Sequence, residues 1–346
     1  MLEQLTHDLA AAKNLADEQI RFAVEQLTDE NIPAPTKAAF LSQLAVKGET
    51  VEEIAAFARA LREKSIPAPL TPETRAREIL DVCGTGGDHL NTFNISTTVA
   101  LVCASAGIAV AKHGNRAVTS QSGSADVLEA LGIPVDLSPA AAAQALHEHN
   151  FAFFFAPNFH PAFKHIAPAR KLCAARGQRT IFNFLGPLLN PARPTAQLVG
   201  VPRAELCEPL AQVLQALGIR RGMVVSGKTP GGNLDEFSTL GETTVAEFYH
   251  ERGFTVSSLS PEQFTLQPAT LADLAGGDRD ANAEIIRRIL RGDERGPKRD
   301  AVLLNVAAAL FVAGAVRTLA DGWERAAELI DAGTAFSKLK SLAQFS

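Results

Sequence analysis

Cysteine is scarce in this 346-residue chain. Cys83, Cys103, Cys173 and Cys207 form no CxxC pair and show no zinc-like spacing. So few in so long a chain exclude a disulfide framework and point to reduced thiols. Long apolar runs are missing as well. The longest, around Thr98 to Ala111, is interrupted by Ser105 and Gly107 and closed by Lys112, too short to span a bilayer. There is no long basic run, and 33 Lys and Arg against 38 Asp and Glu leave a formal charge of −5. That balance excludes a dedicated nucleic-acid groove, so any bound anion must be held by a local site. The opening "MLEQLTHDLAAAKNLADEQ" carries acids early and lacks the apolar core of a signal peptide, so a cytoplasmic location is expected. No internal repeat or low-complexity segment appears. The 46% hydrophobic and 21% charged content are those of a soluble globular protein.

What is present changes character once along the chain. Up to about residue 63, "FAVEQL" and "VEEIAAFARALREK" place apolar residues three and four apart and predict helices. Thr50 with Glu53 three residues later predicts a capping box at the start of the second. Pro67, Pro69 and Pro72 then stiffen the chain and mark a domain boundary. Beyond them strands ("EILDVC", "IAVAKHG", "FAFFFAP", "AQLVGVP", "GMVVSG") alternate with helices ("TVALVCASAG", "SADVLEALG", "AAAQALHEHN"). This alternation predicts an α/β fold with a mainly parallel central sheet. The expected organisation is a small helical domain from 1–70, with 160–190 adding helices. A larger α/β domain takes 71–159 and 191–346, and "AVLLNVAAALFVAGAV" supplies a buried helix.

The chemistry concentrates where strands give way to loops. In "DVCGTGGDHLNTFNIST" an apolar strand breaks into Gly84, Gly86 and Gly87, followed by Asp88, Thr92, Asn94, Ser96 and Thr97. Glycines let main-chain N–H groups approach a ligand, and a helix beginning near Ser96 adds its N-terminal dipole. Phosphate is the natural guest. The spacing is neither the dinucleotide GxGxxG nor a P-loop, which sets aside a dinucleotide-dependent oxidoreductase. The next strand ends in "KHGNRAVTSQSGSAD", where Lys112, Arg116 and the hydroxyls of Ser120, Ser122 and Ser124 would face the same crevice. Asp235 and Glu236 in "NLDEFS" form the leading Mg²⁺ candidate, because Mg²⁺ takes one or two carboxylates together with phosphate oxygens. Farther back, Arg170 is placed to clamp a carboxylate bidentately, while His160 is either a structural histidine or part of the site. No Ser/His/Asp order or nucleophile–base pair stands out, which suggests catalysis by positioning and electrostatics.

Taken together, "GTGGD…TFNIST", "KHGNRAVTSQSGSADVLEALG", "RTIFNFLGPLLNP" and "LDE" resemble the anthranilate phosphoribosyltransferases over nearly the whole chain. The resemblance implies the fold of class III phosphoribosyltransferases and pyrimidine nucleoside phosphorylases, and a homodimer joined through the helical domains. It implies phosphoribosyl pyrophosphate (PRPP) and anthranilate as substrates, with two Mg²⁺ per site. It also assigns PRPP to Gly84, Gly87, Asp88, Thr92, Asn94, Ile95, Ser96, Thr97, Lys112, His113, Gly114, Asn115, Arg116, Ser120 and Ser124. Anthranilate falls to Gly84, Asn115, His160 and Arg170, and metal to Ser96, Asp235 and Glu236. No residue is assigned as an obligatory catalytic acid or base; Asn115, His113 and Arg170 are positioning residues. Three residues depart from the family pattern: His89 stands where glycine is usual, Gln121 replaces a commonly basic residue, and Arg176 replaces an apolar one. A pyrimidine nucleoside phosphorylase is the nearest rival, but its glycine loop and basic segment read differently. A paralogue with another acceptor, or a non-catalytic module, would be expected to lose Arg170, the "DE" pair or a phosphate residue, and all are present.

Overall fold

The computed structural model describes residues 2–117, 121–250 and 253–345. Four helices open the chain: α1 (Leu2–Ala10), α2 (Asp17–Thr28), α3 (Ala34–Lys47) and α4 (Val51–Glu63). The capping box expected at Thr50 is present. Glu53 N donates to Thr50 Oγ1 at 3.2 Å, and Thr50 N donates back to the Glu53 carboxylate at 2.9 Å. The same carboxylate accepts Leu15 N and pairs at 2.7 Å with the buried Lys47, tying three helical segments together.

After the short α5 (Pro72–Arg75), the alternating part begins with β1 (Ile79–Gly84), α6 (Ile95–Ser105), β2 (Ala109–Gly114), α7 (Ser124–Ala130), α8 (Pro139–His149) and β3 (Phe151–Phe155). The chain returns to the helical layer through α9 (Ala156–Phe159), α10 (Ala167–Ala174) and three 3₁₀ turns between Pro161 and Leu189. It re-enters the sheet with β4 (Ala196–Gly200), α11 (Cys207–Ala216), β5 (Arg221–Thr229), β6 (Gly232–Leu234), β7 (Thr243–Tyr249) and β8 (Gly253–Leu259). Four helices finish it: α12 (Arg279–Arg291), α13 (Pro297–Val312), α14 (Leu319–Asp331) and α15 (Thr334–Ala343).

The sheet runs β3-β2-β1-β4-β5-β7-β8, with β6 paired to β5. Its first five strands are mutually parallel, as the alternation of strands and helices requires. β6, β7 and β8 add an antiparallel flank that the sequence reading did not anticipate.

Strand alternation sends successive side chains to opposite faces. Leu80 and Val82 join a core with α6 and α13, whereas Cys83 and Val199 face the core shared with α1 to α4 and α10. On the α6 face of β2, Val110 is followed by Lys112; on the other face, Ala111 is followed by His113. One short strand therefore turns its ammonium and its imidazole to opposite faces of the sheet.

Candidate active site

The C-terminal ends of β1 and β2, the N-terminus of α6, and the turn after β6 enclose a cavity of about 380 Å³. Its wall includes Gly84, Gly87, Asp88, Thr92, Asn94, Ile95, Ser96, Thr97, Lys112, His113, Gly114, Asn115, Arg116, Ser124, Asp235 and Glu236. These are residues expected for PRPP and metal, brought from three stretches far apart in sequence. Ser120 lies outside the described residues. His160 and Arg170 do not line this cavity.

The glycines act by two physical routes. Gly86 and Gly87 have φ of +73° and +85°, the left-handed region that glycine enters without steric cost. Gly84 is bare for closeness: a Cβ there would stand 2.1 Å from Asp235 Oδ2. That contact lets Gly86 N donate to Asp235 Oδ2 at 2.8 Å. His89 follows with φ +58°, so an imidazole occupies a left-handed position that glycine would fill more cheaply. Asn94 precedes α6, but its side chain does not cap it. Instead its amide donates to the Ser122 carbonyl at 3.1 Å and accepts from the buried Asn282 at 2.9 Å, joining both loops to α12.

Charge inside the cavity is held close together. Lys112 is buried, and its Nζ donates to the Val82 carbonyl at 2.7 Å and to Ser96 Oγ at 3.3 Å. Glu236 accepts Ser96 N at 3.1 Å, at the positive end of α6. Burial, then the neighbouring Asp88, pushes the Asp235 carboxyl up to about 7. Burial, then Asp235, pushes Glu236 well above the carboxylate range. Arg116 sits at the rim with its guanidinium spread over both oxygens of Glu129 (2.7 and 2.6 Å), with Asp126 at 3.2 Å.

The opposite face of the strands leads to the helical layer. His113 Nδ1 lies 3.2 Å from the Gly186 carbonyl, and its ring meets His160 edge-on at 5.3 Å. His160 packs on Phe163, Phe163 on Phe182, and the Arg170 guanidinium lies 5.4 Å above the Phe182 ring. A line of rings thus separates Arg170 from the glycine-loop cavity. Burial depresses both imidazoles, His113 to about 3 and His160 to about 4, so both are neutral at pH 7.

Sequence reasoning missed a buried carboxylate beneath this junction. Asp81 accepts Asn190 Nδ2 at 2.9 Å and lies 3.4 Å from both Gln197 Nε2 and His113 N. Its signal was available: one acid inside the apolar run "EILDVC" must find donors when buried.

This architecture is that of a glycosyl transferase. Residues 3–65 match the "Glycosyl transferase family, helical bundle domain" and residues 76–336 the "Glycosyl transferase family, a/b domain". The chain is 45% identical over 346 residues to the anthranilate phosphoribosyltransferase of Lacticaseibacillus casei, covering 100% of this chain and 98% of that one. It is 45% identical over 340 residues to that of Geobacter sulfurreducens, covering 95% of each. The crystal structure of the Thermus thermophilus anthranilate phosphoribosyltransferase superposes with a TM-score of 0.89 at 40% identity, covering 99% of this chain and 98% of that one. The Saccharomyces cerevisiae enzyme in complex with PRPP and Mg gives 0.87 at 28% identity, covering 99% and 96%. The chain belongs to the anthranilate phosphoribosyltransferase family.

Proposed function

We propose that the cavity binds PRPP and that the amine of anthranilate displaces pyrophosphate from C1 of the ribose. The products are N-(5-phosphoribosyl)anthranilate and pyrophosphate, a step of tryptophan biosynthesis. The observation that carries the reading is the convergence, around one cavity, of the bare glycine loop, the α6 N-terminus, Lys112 and three carboxylates.

The donor set fits Mg²⁺. Asp88, Asp235 and Glu236 offer hard oxygens to one space, and removal from water with their mutual repulsion holds the Asp235 and Glu236 carboxyls high. Among the described residues no three His, Cys, Asp or Glu side chains form a protein-only metal cage. That suits an ion that completes its shell with phosphate oxygens and water. Asp235, Glu236 and Ser96 would hold it, two ions per site, and bound Mg²⁺ supplies charge neutralisation on the leaving pyrophosphate. The loop N–H groups from Gly87 onward and Lys112 stabilise the same negative charge. As the C1–O bond breaks, the ribose gains oxocarbenium character and the amine lone pair forms the C1–N bond. The resulting arylammonium is acidic enough to lose its proton without an obligatory protein base. Asn115 and His113 position the acceptor, Arg170 faces its carboxylate end, and His160 lies near its path. Closure of the helical layer on the cavity would align the amine and exclude water.

The same reading divides the chain into 1–70 with 160–190, and 71–159 with 191–346. Family matches that stop at 65 and resume at 76 support the first cut, and the packing of α10 on α3 supports the return. A homodimer through the helical layer rests on the family resemblance; α2, α3 and α10 expose Phe22, Val46 and Leu172 singly. The test of function is anthranilate fluorescence followed with PRPP, with and without Mg²⁺. Loss requiring both, with one pyrophosphate released per anthranilate, is the expected result. No loss at saturating substrates would assign the phosphoribosyl site to another acceptor.

A further inference from the structure

Arg179 comes from the segment between α10 and the 3₁₀ turn Ile181–Asn183, on the helical side of the cavity. Both neighbours are anchored. Gln178 Nε2 donates to the Ser42 carbonyl of α3 at 2.9 Å, and the buried Thr180 donates through its N–H to Asn183 Oδ1 at 2.8 Å. With its backbone pinned on each side, the Arg179 side chain reaches across to the glycine loop. A Cβ built on Gly87 would point at this guanidinium, 3.7 Å from Arg179 Nη2. Gly87 is the residue next to Asp88, at the crest of the loop.

Before metal binds, the cavity is poorly matched in charge to a polyanion. Asp88, Asp235 and Glu236 line it. Against them, Lys112 is engaged by Val82 and Ser96, and Arg116 is engaged by Asp126 and Glu129. Arg179 is exposed and makes no ion pair or hydrogen bond among the described residues. An arginine carries five donors in a planar fork that matches phosphate oxygens two at a time.

We propose that Arg179 is a substrate-binding residue of this site, closing over the crest of the glycine loop onto the pyrophosphate of PRPP. The assignment rests on the reading that this loop receives pyrophosphate. It gives the helical layer a direct grip on the leaving group, so that binding PRPP draws the two sides of the crevice together.

The test is calorimetric titration of inorganic pyrophosphate with Mg²⁺ into wild type, Arg179→Ala and Arg179→Lys. Steady-state KM values for PRPP and for anthranilate are measured alongside, and thermal unfolding checks that each variant is folded. The expected result is pyrophosphate binding to wild type, weakened roughly tenfold or more in Arg179→Ala as a charge-assisted contact is lost. Arg179→Lys should fall between the two, because it keeps the charge and loses the fork. KM for PRPP should rise with the loss while KM for anthranilate stays within about twofold of wild type. Wild-type affinity in a folded Arg179→Ala would overturn the assignment while leaving the loop reading intact. So would a rise confined to the KM for anthranilate, which would place Arg179 on the acceptor. Absence of pyrophosphate binding to wild type would remove the loop reading itself, and the assignment with it.

Discussion

Asn190 Nδ2 donates at 2.9 Å to the carboxylate of Asp81, a residue 109 positions earlier, and the same nitrogen donates at 2.7 Å to the Ala111 carbonyl. Both side chains are fully buried. Asp81 ends up here because Leu80 and Val82 on either side face the α6 core, which turns the acid toward the returning segment. Gln197 stands beside it in register on β4 and donates to the Pro187 carbonyl at 2.6 Å. The floor of the helical return is therefore stapled to the sheet by amide donors around one carboxyl.

Removing the staple should cost stability before it costs chemistry. Asn190→Ala deletes two donors and leaves Asp81 and the Ala111 carbonyl short of partners in a dry interior. The expected loss is about 1–3 kcal/mol in denaturant unfolding. Because Gly186, which faces His113, belongs to the same segment, anthranilate KM should rise more than PRPP KM. Unchanged stability would mean that water replaces the amide.

Gly84→Ala tests the other end of β1. The new methyl would stand 2.1 Å from Asp235 Oδ2 and 2.6 Å from its Cγ, so the carboxylate must swing away. The Gly86 N–H bond to Asp235 would break with it. PRPP use should fall at least about tenfold, the value of one or two lost contacts to charged groups, with thermal unfolding only modestly lowered. Wild-type kinetics would show that Asp235 is not fixed by this approach.

Asp235→Asn with Glu236→Gln keeps the shape of the pair and removes its charge. The Mg²⁺ concentration for half-maximal rate should rise and kcat/KM for PRPP should drop by roughly two or more orders of magnitude, the range expected for loss of metal charge stabilisation. An unaltered magnesium dependence would move the metal elsewhere.

The outline of the fold was legible because burial writes itself into sequence. Strand-length apolar runs alternating with helical ones dictated the parallel sheet, and Thr50 with Glu53 announced a helix start that the structure contains. The flank β6 to β8 was not legible. β8, "GFTVSSL", is mostly exposed at the sheet's edge, so it lacks the apolar pattern that marks a buried strand. At the site, "GTGGD", "KHGNR" and "LDE" could be named as separate stretches. Their convergence depends on the sheet bringing β1 beside β2 and the turn after β6 over both. Arg170 shows the limit of motif reading, since its stacking on Phe182, outside the glycine-loop cavity, follows from a chain of ring contacts with no sequence period.

That placement sharpens what Arg170→Ala should do. Because Arg170 does not line the glycine-loop cavity, its loss should leave PRPP binding near wild type while anthranilate KM rises by about tenfold or more, as for a lost charge-assisted bond. Equal losses on both substrates would remove the carboxylate clamp and make Arg170 a packing residue on Phe182.

The neutral histidines give a pH prediction with a definite sign. His160 is held at about 4 by burial, below its ordinary value of 6.5. Between those two values the unfolded chain binds a proton that the folded chain refuses. Stability therefore rises with pH across the window and is lost as pH falls through it. From pH 7 to pH 5 the loss attributable to this group is about 2 kcal/mol, at roughly 1.36 kcal/mol per pH unit below the ordinary value. His160→Gln cannot take up that proton in either state. Its stability relative to wild type should improve by about that amount between pH 7 and pH 5, read from urea midpoints at constant ionic strength. His113, held at about 3 and 5.3 Å away, remains in the variant, so the residual acid sensitivity belongs to it and to the carboxylates. Parallel stability curves for wild type and variant would show that the folded protein protonates the His160 ring as readily as the unfolded chain does, with an acceptor such as the Leu189 carbonyl offsetting its burial.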